Sequence, residues 1–122
     1  MNLKIDYSEE GNYIIRKFQG KLNPKDLLSS WELLIKEKLR KEELNGVISI
    51  YSDVELDMEL DDFDSLLDLF KKNAEFLENL KIAIVMETHI NRVFPLLTLR
   101  YSQFNIRSFS RLDTAKEWML ES

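Results

Sequence analysis

Lys81-Ile82-Ala83-Ile84-Val85-Met86 is a short apolar run rich in β-branched residues, and it predicts a strand over Ile82 to Met86 buried on both faces. Val47 to Tyr51 and Ile106 to Phe109 have the same character. Between these runs the period changes to that of a helix. Phe63, Leu66, Leu67, Phe70, Ala74 and Leu77 recur at helical spacing, with Asp61 or Asp62 as N-cap. Val93, Leu97, Tyr101 and Phe104 form a further stripe, with Pro95 in its first turn or at a kink just inside it. Strands alternating with helices imply right-handed crossovers and a mainly parallel sheet covered on both sides.

Toward the N-terminus the pattern is different. Leu3, Ile5 and Tyr7 alternate with Lys4, Asp6 and Ser8, and Glu10-Gly11-Asn12 reads as a turn before the β-branched and aromatic run Tyr13 to Phe18. Residues 3–18 therefore predict an antiparallel hairpin at one edge. Asn23 then supplies an N-cap, Pro24 the first helical position and Asp26 a first-turn acid. The stripe Leu27, Leu28, Trp31, Leu34, Ile35 and Leu39 follows, ending at Asn45-Gly46. At the other end, Ser110-Arg111-Leu112-Asp113 has the spacing of a capping box, opening a helix with Leu112, Ala115, Trp118 and Met119 inward. The order is β-β-α-β-α-β-α-β-α: a five-stranded mixed sheet, four helices, and one domain over residues 1–122.

This order, together with Lys81 to Thr88, the closing Ile106-Arg107-Ser108-Phe109-Ser110 and Ala115-Lys116-Glu117-Trp118-Met119, resembles the SpoIIAA-like (STAS/SEC14-type) domains of bacteria. The resemblance covers nearly the whole chain and rests on packing motifs. It implies a five-stranded sheet with four helices, no enzymatic activity, and regulation by protein contact or the holding of a small apolar ligand. STAS-type anti-sigma-factor antagonists carry a phosphorylatable serine in Asp-Ser-x-Gly. Here Asp64-Ser65-Leu66-Leu67 has leucine where the glycine belongs, which leaves Ser65 as a candidate phospho-acceptor without its motif.

Composition narrows the chemistry. With 122 residues, 44% of them apolar and only three glycines and two prolines, the chain has enough apolar material for an ordered core. The absence of cysteine excludes disulfides and thiolate-ligated metal sites, and suits a reducing compartment. The N-terminus turns acidic before any apolar leader could form, so a cytoplasmic protein that does not insert in a membrane is expected. A net charge of −5 disfavours binding to a nucleic-acid backbone. The charge is uneven: acids crowd Asp53 to Asp64, whereas Thr88 to Leu112 holds Arg92, Arg100, Arg107 and Arg111 and no acid.

Each constellation has a plainer reading beside it. Asp53, Glu55, Asp57 and Asp64 match the first, third, fifth and twelfth positions of a calcium loop, but the loop glycine is Met58 and the last ligand is a short Asp. Val54, Leu56, Met58 and Leu60 alternate with the acids as in an exposed, extended lead-in to a helix, so no metal site is assigned. Met58 and Leu60 are apolar candidates for a partner contact. The aromatic positions Trp31, Trp118 and Phe94 read as core or lid. His89, the only histidine, lacks a recognisable nucleophile and orienting partner, and no glycine-rich phosphate loop follows any strand. No catalytic residue and no cofactor are assigned.

The remaining location is the carboxyl end of the parallel strands, where open α/β sheets bind ligands near a reversal of strand order. It offers Ser52 and Asp53 after one strand and Thr88, His89, Asn91 and Arg92 after the next. Arg92 beside a helix N-terminus is the natural anion contact there, and pairing with Asp53 the plainer one. Three functions stay open. The first is a partner-binding module, possible as a homodimer in which the acidic stretch meets the arginine-bearing region. The second is a carrier or sensor of a small apolar ligand, and the third, least favoured, a hydrolase using His89.

Overall fold

The computed structural model describes residues 2–57, 59–86 and 103–121. A hairpin, β1 (Asn2–Ser8) and β2 (Tyr13–Leu22), leads into α1 (Pro24–Leu34) and then β3 (Gly46–Leu56). Next come α2 (Asp64–Lys72), α3 (Ala74–Leu77), β4 (Lys81–Val85), β5 (Asn105–Phe109) and α4 (Leu112–Leu120). The five strands lie side by side in chain order, β1 antiparallel to β2 and the other pairs parallel. The expected class and the single antiparallel edge are what the chain forms. The predicted helix through Val93 and Pro95 lies outside the described residues, although Phe104 at its end is buried.

Chain order has a packing consequence. Crossovers of one hand that all step the same way put their helices on one face of the sheet. Accordingly Leu27, Trp31, Leu34 and Ile35 of the first helix and Leu66 and Phe70 of α2 join Ile14, Phe18, Val47, Tyr51, Ile82 and Ile84 in one core. Among the described residues only α4, after the last strand, reaches the opposite face, where Ala115, Trp118 and Met119 cover Tyr13, Ile48, Ile50, Ala83 and Val85. Full burial of such side chains contributes about 1.5–3 kcal/mol each as an upper bound.

Several boundaries differ from expectation. The hairpin turn holds Gly11 at φ 85° and Asn12 at φ 53°, conformations that glycine and asparagine tolerate. Ile5 and Tyr7 keep the expected side of β1 but are about half exposed, 49% and 54%, because the edge strand lies beyond the helical cover. β5 likewise closes the other edge instead of sitting mid-sheet, and Ile106 and Phe109 are half-buried. The first helix begins as expected, with Asn23 Oδ1 accepting from the Asp26 N–H at 2.8 Å. It ends in a π-helical turn, Ile35–Leu39, that keeps Ile35 and Leu39 buried.

The second helix is not continuous. Its entry is a 3₁₀ turn, Leu60–Phe63, whose N-cap is Glu59, not Asp61 or Asp62; Asp62 supplies the reciprocal bond to the Glu59 N–H at 2.7 Å. It breaks at Asn73, where ψ is 28°. Asn73 Nδ2 donates to the Leu69 carbonyl at 2.9 Å while its Oδ1 accepts from Arg40 Nη2 at 3.0 Å, a side chain competing with the helical backbone. At α4 the N-cap is Arg111 instead of Ser110, and it makes no side-chain cap bond. Asp113 instead pairs with Arg111 and accepts from the Thr114 N–H.

The acidic stretch was expected to be an exposed lead-in, yet β3 continues through it to Leu56. β2 and β3 pair as far as Leu22 and Leu56, whereas β1 reaches only Gln19 and β4 only Ile50. The pairing jumps from Lys17–Ile50 to Gln19–Asp53, so one extra residue of β3 is bulged out beside Phe18. The bulge shifts the alternation by one and lets Val54, like Val47 and Tyr51, pack against the helix-covered core.

Candidate functional site

The bulge falls where the sequence placed its candidate site. Ser52 lies in it, half-buried, and its Oγ has no hydrogen-bond partner among the described residues. Asp53 pairs through its backbone with Gln19. Thr88, His89, Asn91 and Arg92 lie outside the described residues. Because the strands run in chain order, the described sheet has no reversal of strand order to create a switch-point crevice. Ser65 is exposed in the first turn of α2, bordering a groove of about 210 Å³ with Lys25 and Asp62 on its rim. Among the described residues no three or more metal-capable side chains cluster, and no helix is long and apolar enough to cross a membrane.

The most unusual chemistry lies deeper, at a residue sequence reasoning passed over. Arg16 is fully buried in the middle of β2, on the face that also carries Ile14 and Phe18. Its Nε and Nη2 donate to Ser49 Oγ at 3.2 and 2.9 Å, and its Nη1 donates to Ser30 Oγ at 3.2 Å. Ser30 in turn donates to the Leu27 carbonyl at 2.7 Å. The guanidinium carbon lies 4.3 Å from the centre of the Trp31 ring and 5.1 Å from that of Phe18. No carboxylate among the described residues forms an ion pair with it.

A desolvated guanidinium costs several kcal/mol. Hydrogen bonds to a charged group contribute about 1.5–3 kcal/mol each, and a desolvated cation–π contact about 2. These terms are of the same order, so the fold tolerates Arg16 without drawing much net stability from it. Burial pushes its pKa below the usual arginine range, with the Coulombic pairing to Tyr51 acting the other way. Burial likewise pushes the Tyr51 phenol above 10.0, opposed by Arg16 and by a hydrogen bond with Ser49.

Arg16 can only donate, and two of its N–H groups converge on Ser49 Oγ, whose hydroxyl also interacts with the Tyr51 phenol. Beyond Ser49 and Tyr51 lies a cavity of about 30 Å³ between sheet and helices, walled mainly by Trp31, Phe63, Leu66, Phe70 and Ile84. One signal in the sequence could have found the site: alternation along Tyr13 to Phe18 puts Arg16 on the same face as Ile14 and Phe18, a charge inside an apolar stripe.

No protein-family profile matches the sequence, and no curated protein matches it. Solved structures do. An uncharacterised protein of the DUF3478 family with a SpoIIAA-like fold, from Shewanella loihica PV-4, is 17% identical, with a TM-score of 0.64 over 97% of this chain and 92% of that one. An anti-sigma factor antagonist from Mycobacterium paratuberculosis is 14% identical, with a TM-score of 0.62 over 98% of this chain and 96% of that one. At such identities the likeness establishes the fold, and the chain has a SpoIIAA-like fold.

Proposed function

We propose that this chain is a non-catalytic regulatory domain that works by protein contact, and that its contact surface is the acidic end of the β2–β3 ribbon. The observation that carries the reading is the ribbon itself. It extends past β1 on one side and, among the described residues, past β4 on the other, presenting exposed Glu55, Asp57 and Glu59. Its nearest cation there is Lys21, in an exposed pair with Asp57 at 3.7 Å that holds little energy. Such a surface attracts a basic one, setting orientation and on-rate more than affinity. The arginine-bearing region of a second copy is one such partner, and the anti-sigma factor antagonist of like fold lends the regulatory class its support.

The test is Glu55→Lys with Asp57→Lys, sparing Glu59 because it caps the 3₁₀ turn. Sedimentation at low salt should show the parent chain self-associating, and the double reversal weakening that association about tenfold or more in a salt-dependent way. A parent chain monomeric at every concentration removes the self-association version. A second reading, a carrier or sensor of a small apolar molecule, is supported by the apolar cavity beside Ser49 and Tyr51.

A further inference from the structure

β1 is an outer edge of the sheet. It pairs with β2 in one unbroken antiparallel register, and among the described residues nothing pairs with its other side. Edge strands are ordinarily guarded against strand addition by proline, a bulge or charge. β1 has neither of the first two, and its charges, Lys4 and Asp6, are one of each sign. Lys4, Ile5, Asp6 and Tyr7 are all exposed.

The outward backbone groups can be assigned. The Asn45 N–H donates to the Asn12 carbonyl at 2.8 Å on the β3 side, so across the same planar peptide the Tyr13 N–H points toward β1. Tyr13 stands opposite Ser8, and alternation turns the N–H and C=O groups of Ser8, Asp6 and Lys4 inward to β2. Those of Leu3, Ile5 and Tyr7 face outward. The side chains of Leu3, Ile5 and Tyr7 share the face of their partners Phe18, Arg16 and Ile14, and Lys4 and Asp6 project from the other.

We infer that this edge pairs with the same edge of a second copy, antiparallel about a two-fold axis through Ile5, joining two five-stranded sheets into one. In that register Ile5 meets Ile5 and Leu3 meets Tyr7 as pairs that exchange backbone hydrogen bonds. Lys4 of each copy stands opposite Asp6 of the other, at the closer Cα spacing of about 4.5 Å. Opposite charges thus meet on one face, while on the other Ile5 and Tyr7, 49% and 54% exposed in the single chain, gain apolar cover. The charges select the register. A slip of one residue sets outward groups against inward ones, and a slip of two brings Lys4 against Lys4 or Asp6 against Asp6. Within its own chain Lys4 stands across from another cation, Lys17, a repulsion that Asp6 of the second copy relieves. The interface shares no residue with the acidic end of the β2–β3 ribbon, so the two contacts stand or fall separately.

The test is charge exchange, read by sedimentation of the full chain at low salt and concentrations up to about 1 mM. The parent should dimerise. Lys4→Asp and Asp6→Lys each set like charges against each other twice, and each should weaken the dimer about tenfold or more. An equimolar mixture of these two variants should restore it as a heterodimer, and both substitutions in one chain should restore the homodimer. Such recovery separates a lost contact from a damaged fold. Ile5→Pro removes an outward N–H and leaves the bonds to β2 in place, so it should abolish the pairing with little change in melting temperature. Glu55→Lys with Asp57→Lys should weaken only association beyond this dimer. A parent that is monomeric throughout overturns the β1 pairing, as does a mixture of the two charge variants that fails to associate. A dimer that survives Lys4→Asp and Asp6→Lys but is lost on reversal of Glu55 and Asp57 overturns it too, and supports the ribbon contact instead.

Discussion

The two faces of the sheet are both buried, yet they are built differently. On the α4 face the buried side chains are apolar, and the polar groups sit at its border. Asn45 Nδ2 donates to the Met119 carbonyl at 2.8 Å and Lys81 Nζ to that of Trp118 at 2.9 Å, satisfying the free carbonyls at the end of α4. Gly46 lets that end sit close, since a Cβ there would lie 2.7 Å from the Lys81 carbonyl oxygen and strike the Met119 side chain. The α1–α2 face is larger and holds a buried cation, a chain of hydroxyls and a void. One face spends its packing on stability, and the other keeps features that stability alone does not require.

The contrast can be pressed by substitution. Trp118→Ala should be the costliest change, about 3–5 kcal/mol by urea unfolding, because it empties the middle of a face with one helix for cover. A loss below 1 kcal/mol would show that α4 adds little to the fold. Gly46→Ala should cost about 1–3 kcal/mol by overpacking the same face. A neutral result would mean that α4 can lift off the sheet without penalty.

Tyr51→Phe tests the other face and should cost the least, about 0.5–1.5 kcal/mol near neutral pH. Its pH dependence is more informative. Because the folded pKa of Tyr51 lies above 10.0, the unfolded chain releases that proton first, so the contribution of Tyr51 is complete below pH 10 and is lost as pH rises toward the folded value. Arg16, with its pKa lowered, acts in the opposite sense at high pH but is common to both proteins. Unfolding measured from pH 8 to 11 should show Tyr51→Phe gaining on the parent above pH 10. A constant difference would show that Tyr51 is not sequestered from solvent.

Much of the fold was legible in the chain because its signals are local. The runs Val47 to Tyr51 and Ile82 to Met86 are apolar on both sides whatever they pack against, and Asn23-Pro24 opens a helix through bonds within one turn. Where a neighbour distant in sequence competed, the local reading gave way: Arg40 at Asn73 broke a helix that the periodicity of Phe63 to Leu77 makes continuous. The candidate site followed the same division. Ser52 was reachable as a strand-end residue, whereas the isolation of its hydroxyl depends on a bulge that only pairing with β2 creates.

By itself, then, the sequence determined which of the described segments are strands and helices and that the sheet is mixed with one antiparallel edge, since alternation and capping are decided over a few residues. Only the tertiary structure decided that the strands lie in chain order, that three described helical elements share one face, and that Arg16 and Ser30 meet Ser49, which with Tyr51 lines a void. Those residues come from three separate elements, and what makes Arg16 exceptional, a charge with which no acid among the described residues pairs, is a property of its surroundings in space.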